Sequence, residues 1–382
     1  MTNRSLTALR GVFIPVEHYG LWGGGMPKAA FLLARELRAL NCAVTVITLH
    51  TTAADVVTSG ELGIKVRVSP WQWGHRWHLP QAVVALLGLL ESLVRPESLI
   101  LAIGTDVVAG YLLASPLAGR VAVWECTGAT RDNPFVSARA RDQLGRALAV
   151  LAPSVVIERN LRRQYGYAGT VLRLPFWVEA AVGFDAGSGQ TESDRINFIY
   201  LGRKDDKKGL FELIGAMAQL TGSGAVARLL ICGTGEDRPF QEYAARRGVG
   251  ERVRFAYFAD EQDVVKALRG ARWLVLPSYH EGYPLTLLEA FGQGRPVIAT
   301  QVGSVPEMCA GSSAALLIPP RDESALVAAL ALALAMPAAD YRARQAAARV
   351  LFDQLSGPAV VRQRVADVLG HLVALRQGRK PE

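Results

Sequence analysis

Two glutamates, Glu281 and Glu289, lie eight positions apart in the otherwise mostly apolar segment 278–290 (SYHEGYPLTLLEA). Glu281 belongs to a loop at the end of an expected strand. Glu289 falls about one turn into an expected helix over 285–292. A carboxylate among apolar neighbours is costly unless it is paired. A ribose diol would offer such a partner through two hydrogen bonds, and a backbone or Arg partner would serve equally well. A second group is the loop 202–209 (GRKDDKKG). There Arg203 and Lys208 are two fixed cations able to neutralise a diphosphate and stabilise it as a leaving group. Lys204, Asp205, Asp206 and Lys207 read as a solvated charged loop. Gly233-Thr234-Gly235 forms a further turn at which a phosphate or sugar could approach the backbone. The same is true of the early run 20–27 (GLWGGGMP). Its Gly23 and Gly24 permit close approach of an anion, and the following helix offers free N–H donors. A turn without a ligand fits that run as well. The run is neither a Walker A loop nor a G-x-G-x-x-G fingerprint.

Apolar, β-rich runs must hold these loops. Residues 11–16 predict a first strand, 27–40 a helix and 43–49 a second strand, the proportions of a parallel α/β layer. Further strands are expected at 98–103, 121–124 and 148–152. A second series is expected at 197–201, 228–232, 252–256, 273–277 and 296–300. Between the two series the segment 179–194, containing AGSGQTESD, has linker composition. Residues 358–376 predict a last helix with an apolar stripe. Two successive α/β domains imply a ligand site beyond the carboxyl ends of the strands, in a cleft between the two halves. The expected domains are 1–179, a linker at 180–194, 195–357, and a C-terminal helical segment, 358–382, that returns to the N-terminal domain.

With 382 residues, half of them hydrophobic and 20% charged, the chain is too long for one core and unsuited to general disorder. Cys42, Cys126, Cys232 and Cys309 contain no C-x-x-C pair and read as reduced thiols. No apolar run reaches the roughly 20 residues of a spanning helix, and residues 1–17 lack the apolar region of a secretory leader. The net charge of +8 is concentrated in residues 1–180, with 18 basic against 12 acidic side chains. Basic residues are dispersed and no nucleic-acid motif is present, which disfavours nucleic-acid binding. Trp71, Trp73 and Trp77 alternate with His75, Arg76 and His78 ahead of an apolar helical run. This pattern suits either a membrane interface or packing within a loop.

The run 278–307 (SYHEGYPLTLLEAFGQGRPVIATQVGSVPE) resembles the Glu-x7-Glu signature of retaining family-4 glycosyltransferases (glycosyl transferases group 1). Gly202-Arg203, Lys208-Gly209, Gly233-Thr234-Gly235, Ala152-Pro153-Ser154, Pro175 and the early glycine loop also fit that family. The resemblance covers most of the chain and is densest over 197–307. It implies the GT-B fold, α/β, with two Rossmann-like domains facing each other across a cleft. It implies a nucleotide-diphosphate sugar as co-substrate and a glycan or lipid-linked glycan as acceptor, with no cofactor and no metal. The chain lacks a D-x-D motif. Carried over residue by residue, Glu289 would bind the ribose and Glu281 the donor sugar. Arg203 and Lys208 would hold the diphosphate. Gly23, Gly24, Gly202, Gly233, Gly235 and the backbone at Leu285 and Thr286 would approach phosphate and sugar. The family's acceptor-side His falls here on Glu125, which either replaces it or is a structural carboxylate paired with Arg131. His18 is a second acceptor-side candidate. The implied setting is polysaccharide biosynthesis in the cytoplasm, at or near the inner membrane face, as a peripheral protein. Two other functions fit the same residues: a nucleotide-sugar epimerase of this fold and a non-catalytic donor-binding homologue.

Overall fold

The computed structural model describes residues 11–20, 25–69, 79–95, 97–126, 128–130, 136–179, 196–258 and 260–378. Gly23, Gly24, Arg131, the Trp71–His78 run and the expected linker lie outside them. Among the described residues, apolar runs form two wholly parallel sheets. The first has seven strands in the order β3-β2-β1-β4-β5-β6-β7. These are β1 (Gly11–His18), β2 (Val44–His50), β3 (Lys65–Val68), β4 (Ser98–Ile103), β5 (Val121–Trp124), β6 (Ala149–Ala152) and β7 (Val171–Arg173). The second has six, in the order β10-β9-β8-β11-β12-β13. Its members are β8 (Ile196–Leu201), β9 (Leu229–Cys232), β10 (Val253–Ala256), β11 (Ala271–Leu276), β12 (Val297–Thr300) and β13 (Ala315–Ile318).

The central strands are buried on both faces, which is why they read as continuous apolar runs rather than alternating ones. All six residues of β4 and all four of β5 and β12 are buried. Three strands, β3, β7 and β13, were not expected. Each is an edge strand of three or four residues, paired on one side only. With one neighbour they need no long apolar run, so the sequence signal that marks a buried strand is missing.

The chain divides into two compact units. One comprises residues 1–177 with 359–382, and the other residues 178–358. The helix Pro358–Arg376 therefore ends the chain on the first unit. There Arg362 approaches Glu36 at 3.6 Å, and the Arg376 guanidinium donates to the Ser98 carbonyl. Helices connect successive strands in each sheet, so every strand ends on the same side as its neighbours. In the second unit this places the loops after β8, β9 and β11 side by side, and those loops carry the charged and glycine-rich motifs. No single helix among the described residues is long and apolar enough to cross a membrane.

Candidate active site

The loop after β8 begins at Gly202, whose φ of +154° favours glycine. Gly202 N–H donates to the Cys232 carbonyl at 3.0 Å, tying the loop to the end of β9. Gly233, at φ +142°, lies so close that a Cβ there would overlap the Gly202 carbonyl oxygen. A Cβ on Gly235 would come within 2.6 Å of the Lys204 carbonyl oxygen. The two glycine turns thus fit because neither carries a side chain.

The rest of the loop is braced at several points. The Tyr200 hydroxyl donates to the Arg203 carbonyl at 2.6 Å. Burial holds this phenol far above its usual range, reinforced by the nearby Glu281 and Asp205 carboxylates. Lys204 N–H donates to the Thr234 carbonyl at 2.7 Å. Asp205 caps the 3-10 turn Asp206–Lys208, accepting from Lys207 N–H at 3.0 Å. The Tyr279 N–H donates to the Lys207 carbonyl at 2.8 Å, and a Cβ on Gly209 would strike the Pro277 carbonyl oxygen. These last two contacts bind the loop to the end of β11, where Glu281 follows.

The result is a short ion pair. The Lys208 ammonium donates to Glu281 Oε1 at 2.7 Å, with only 16% and 10% of the two side chains exposed. Gly303 supports Glu281 from behind, since a Cβ there would overlap the Glu281 carbonyl oxygen. Arg203 is on the same loop, 59% exposed and 3.6 Å from Asp205. The helix Leu285–Gly292 starts four residues after Glu281, with Pro284 as its cap residue and no side-chain cap bond. Its first-turn N–H groups, at Leu285 and Thr286, are therefore available to an anion or a sugar hydroxyl. Glu289 is the fifth residue of that helix and is half-buried.

The charged run 202–209 predicts a solvated Lys204. Its side chain is instead 2% exposed and ion-paired with Asp237. Asp206 and Lys207 are exposed, as expected. The sequence carries no comparable signal for Tyr279. Its hydroxyl donates to Glu212, the Arg321 guanidinium lies 4.3 Å above its ring, and burial raises its pKa to about 12. Tyr200 had one signal in the sequence, a phenol placed in an apolar strand two residues before a glycine.

In the first unit, His18 and His50 end adjacent strands in register, so their rings stack at 4.8 Å. Burial, the largest influence, lowers the pKa of His18, Glu17 raises it, and His50 lowers it further. Glu125 follows β5 with no exposed surface. Its carboxylate accepts from the Thr105 hydroxyl at 3.0 Å and from Ala129 N–H at 3.4 Å. Next to Thr105, Asp106 caps the helix Val107–Ala114 through Ala109 N–H at 2.9 Å. Desolvation, with Glu17 adding to it, pushes this carboxyl up to about 7.

Residues 185–350 match the family model for glycosyl transferases group 1. Among curated proteins, the glycogen synthase of Mycobacterium tuberculosis (strain CDC 1551 / Oshkosh) is 29% identical over 185 residues, 48% of this chain and 44% of that protein. The match thus spans less than half the length of that relative. Among solved structures, the sucrose-phosphate synthase from Thermosynechococcus elongatus superposes with a TM-score of 0.78 at 21% identity, over 96% of this chain and 99% of the other. The Anabaena protein HepE, solved with UDP-glucose, gives a TM-score of 0.74 at 17% identity, over 94% and 99%. The fold is the GT-B type of α/β architecture, and the resemblance to glycosyl transferases group 1 is shown for the segment that carries the Lys208–Glu281 site.

Proposed function

We propose that this protein is a retaining, metal-independent hexosyltransferase of family 4. It would move a sugar from a nucleotide-diphosphate donor to a glycan or lipid-linked glycan. The observation that carries this reading is the Lys208–Glu281 pair, set among glycine turns at the ends of β8, β9 and β11. Lys208 and Arg203 hold the diphosphate and stabilise its charge as it leaves. Glu281 exchanges its contact with Lys208 for the donor sugar hydroxyls, and Glu289 binds the ribose. The amides at Leu285 and Thr286 complete the anion site, with Gly202, Gly233 and Gly235 allowing close approach. The leaving phosphate oxygen takes the acceptor proton, so no separate base is required. With no exposed surface, Glu125 acts by positioning its loop, and His18 contacts the acceptor. Catalysis then rests on positioning and fixed electrostatics.

A specific observation supports a peripheral membrane role at the inner face. On the helix Leu79–Val94, Leu86, Leu90 and Leu93 recur at i, i+4 and i+7 and are each about half exposed. The basic surplus of residues 1–180 suits an anionic surface. The function is tested by a thermal-shift panel of UDP-, GDP-, ADP- and dTDP-sugars, since a bound donor stabilises the native state. One sugar nucleotide should shift the melting temperature and support transfer, and Lys208→Ala should abolish both. An epimer formed from donor alone would favour the epimerase. Donor binding without transfer or hydrolysis would favour the non-catalytic homologue.

A further inference from the structure

Lys204 lies under the loop it belongs to, with its side chain 2% exposed and its ammonium on Asp237. A lysine so placed gives up its hydration, and an aliphatic residue would fill the space without that cost. Asp237 precedes the helix Arg238–Arg246 with a helical backbone, φ −82° and ψ −32°, so its side chain makes no bond to the first-turn amides and its carboxylate pairs with Lys204.

The pair joins two segments that also meet through backbone. Lys204 N–H reaches the Thr234 carbonyl at 2.7 Å, and Gly235 leaves room for the Lys204 carbonyl. Arg203 sits directly between Gly202 and Lys204, with its own carbonyl held by Tyr200. Fixing Lys204 thus fixes the backbone from which the Arg203 guanidinium projects. The 3-10 turn that presents Lys208 starts two residues later.

We propose that the Lys204–Asp237 ion pair is a positioning device that locks the loop 202–208 onto the turn 233–237, so that Arg203 and Lys208 are pre-ordered for a nucleoside diphosphate. The inference rests on the reading of this unit as the donor-binding one. It adds two residues that touch no substrate and act through the loop.

The test uses the full chain with Lys204→Met, Asp237→Asn, the conservative Asp237→Glu, and Glu242→Gln as a control in the exposed Arg238–Glu242 pair nearby. Hydrogen exchange is read over residues 202–208 without ligand, and calorimetry measures binding of UDP, GDP, ADP and dTDP. Both neutral variants should expose the 202–208 amides and weaken the preferred nucleotide about tenfold, ~1.4 kcal/mol. Asp237→Glu should restore both readouts, and Glu242→Gln should move neither. Unchanged exchange over 202–208, or faster exchange spread evenly through residues 178–358, overturns the proposal. Should Lys204→Met fail to fold, Asp237→Asn decides, because that carboxylate is partly exposed. If the unaltered protein binds none of the four nucleotides, the donor-binding reading fails, and the exchange result still decides the pair.

Discussion

Replacing Glu281 by Gln separates the two duties that the Lys208–Glu281 contact performs. At 2.7 Å and an effective dielectric of about 20, the gross attraction is about 6 kcal/mol. Most of that offsets the desolvation of two largely buried charges, so the net value is much smaller. Removing one partner is different, because it strands the other charge. A loss of about 3 kcal/mol is expected from Glu281→Gln or from Lys208→Met alone. For a unit of this size that lowers the melting temperature by about 6–12 °C. The double variant Lys208→Met/Glu281→Gln strands nothing and should recover most of the loss. Nucleotide binding should move the other way. A diphosphate must compete with Glu281 for the ammonium of Lys208, so Glu281→Gln should bind UDP, or whichever nucleoside diphosphate is preferred, at least as tightly as the unaltered protein. Sugar transfer should nevertheless fall by about a hundredfold or more, since the carboxylate that would contact the sugar is gone. Denaturant titration, calorimetry with the nucleotide and a transfer assay read the three effects separately. Additive losses in the double variant would refute the coupling, and weaker nucleotide binding by Glu281→Gln would refute the competition.

Gly233→Ala should destabilise the second unit by about 3 kcal/mol or more, because the new Cβ meets the Gly202 carbonyl at a φ that L-residues avoid; denaturant unfolding checks this. Asp106→Asn should raise the melting temperature at pH 8 and leave it unchanged at pH 4. A carboxyl raised to about 7 keeps its proton in the native state while the unfolded chain loses it near 4. Native stability therefore falls as pH rises from 4 through 7, and the amide, which can still cap the helix, removes that loss. Replacing Leu86, Leu90 and Leu93 together by Ser should abolish sedimentation with vesicles containing phosphatidylglycerol while leaving the melting temperature within a few degrees. Full retention of binding would return that stripe to an ordinary surface.

The central strands were legible because burial on both faces leaves an unbroken apolar run, and β4, β5, β9 and β12 show it. Some contacts at the strand ends were legible for a related reason. Glycine, Lys, Arg and Glu at strand ends interrupt those runs, and several of these interruptions in the second unit are contacts in the fold. Gly233 faces Gly202, Gly209 faces Pro277, and Lys208 meets Glu281. Lys204 and Asp237 were not legible, although both are charged residues at the same strand ends. They lie 33 positions apart, and a charged loop residue is solvated far more often than buried. Only the fold, by setting the ends of β8 and β9 side by side, shows that this lysine turns inward. Pairing neutralises most of the charge of the loop 202–209. Of its two acids and four bases, Arg203 and Asp205 face each other, Lys208 has taken Glu281, and Lys204 has taken Asp237. The net positive charge of the loop is therefore not what a phosphate would meet. It would meet Arg203 and whatever part of Lys208 it can win from Glu281, on a backbone held in place by a cation it never touches.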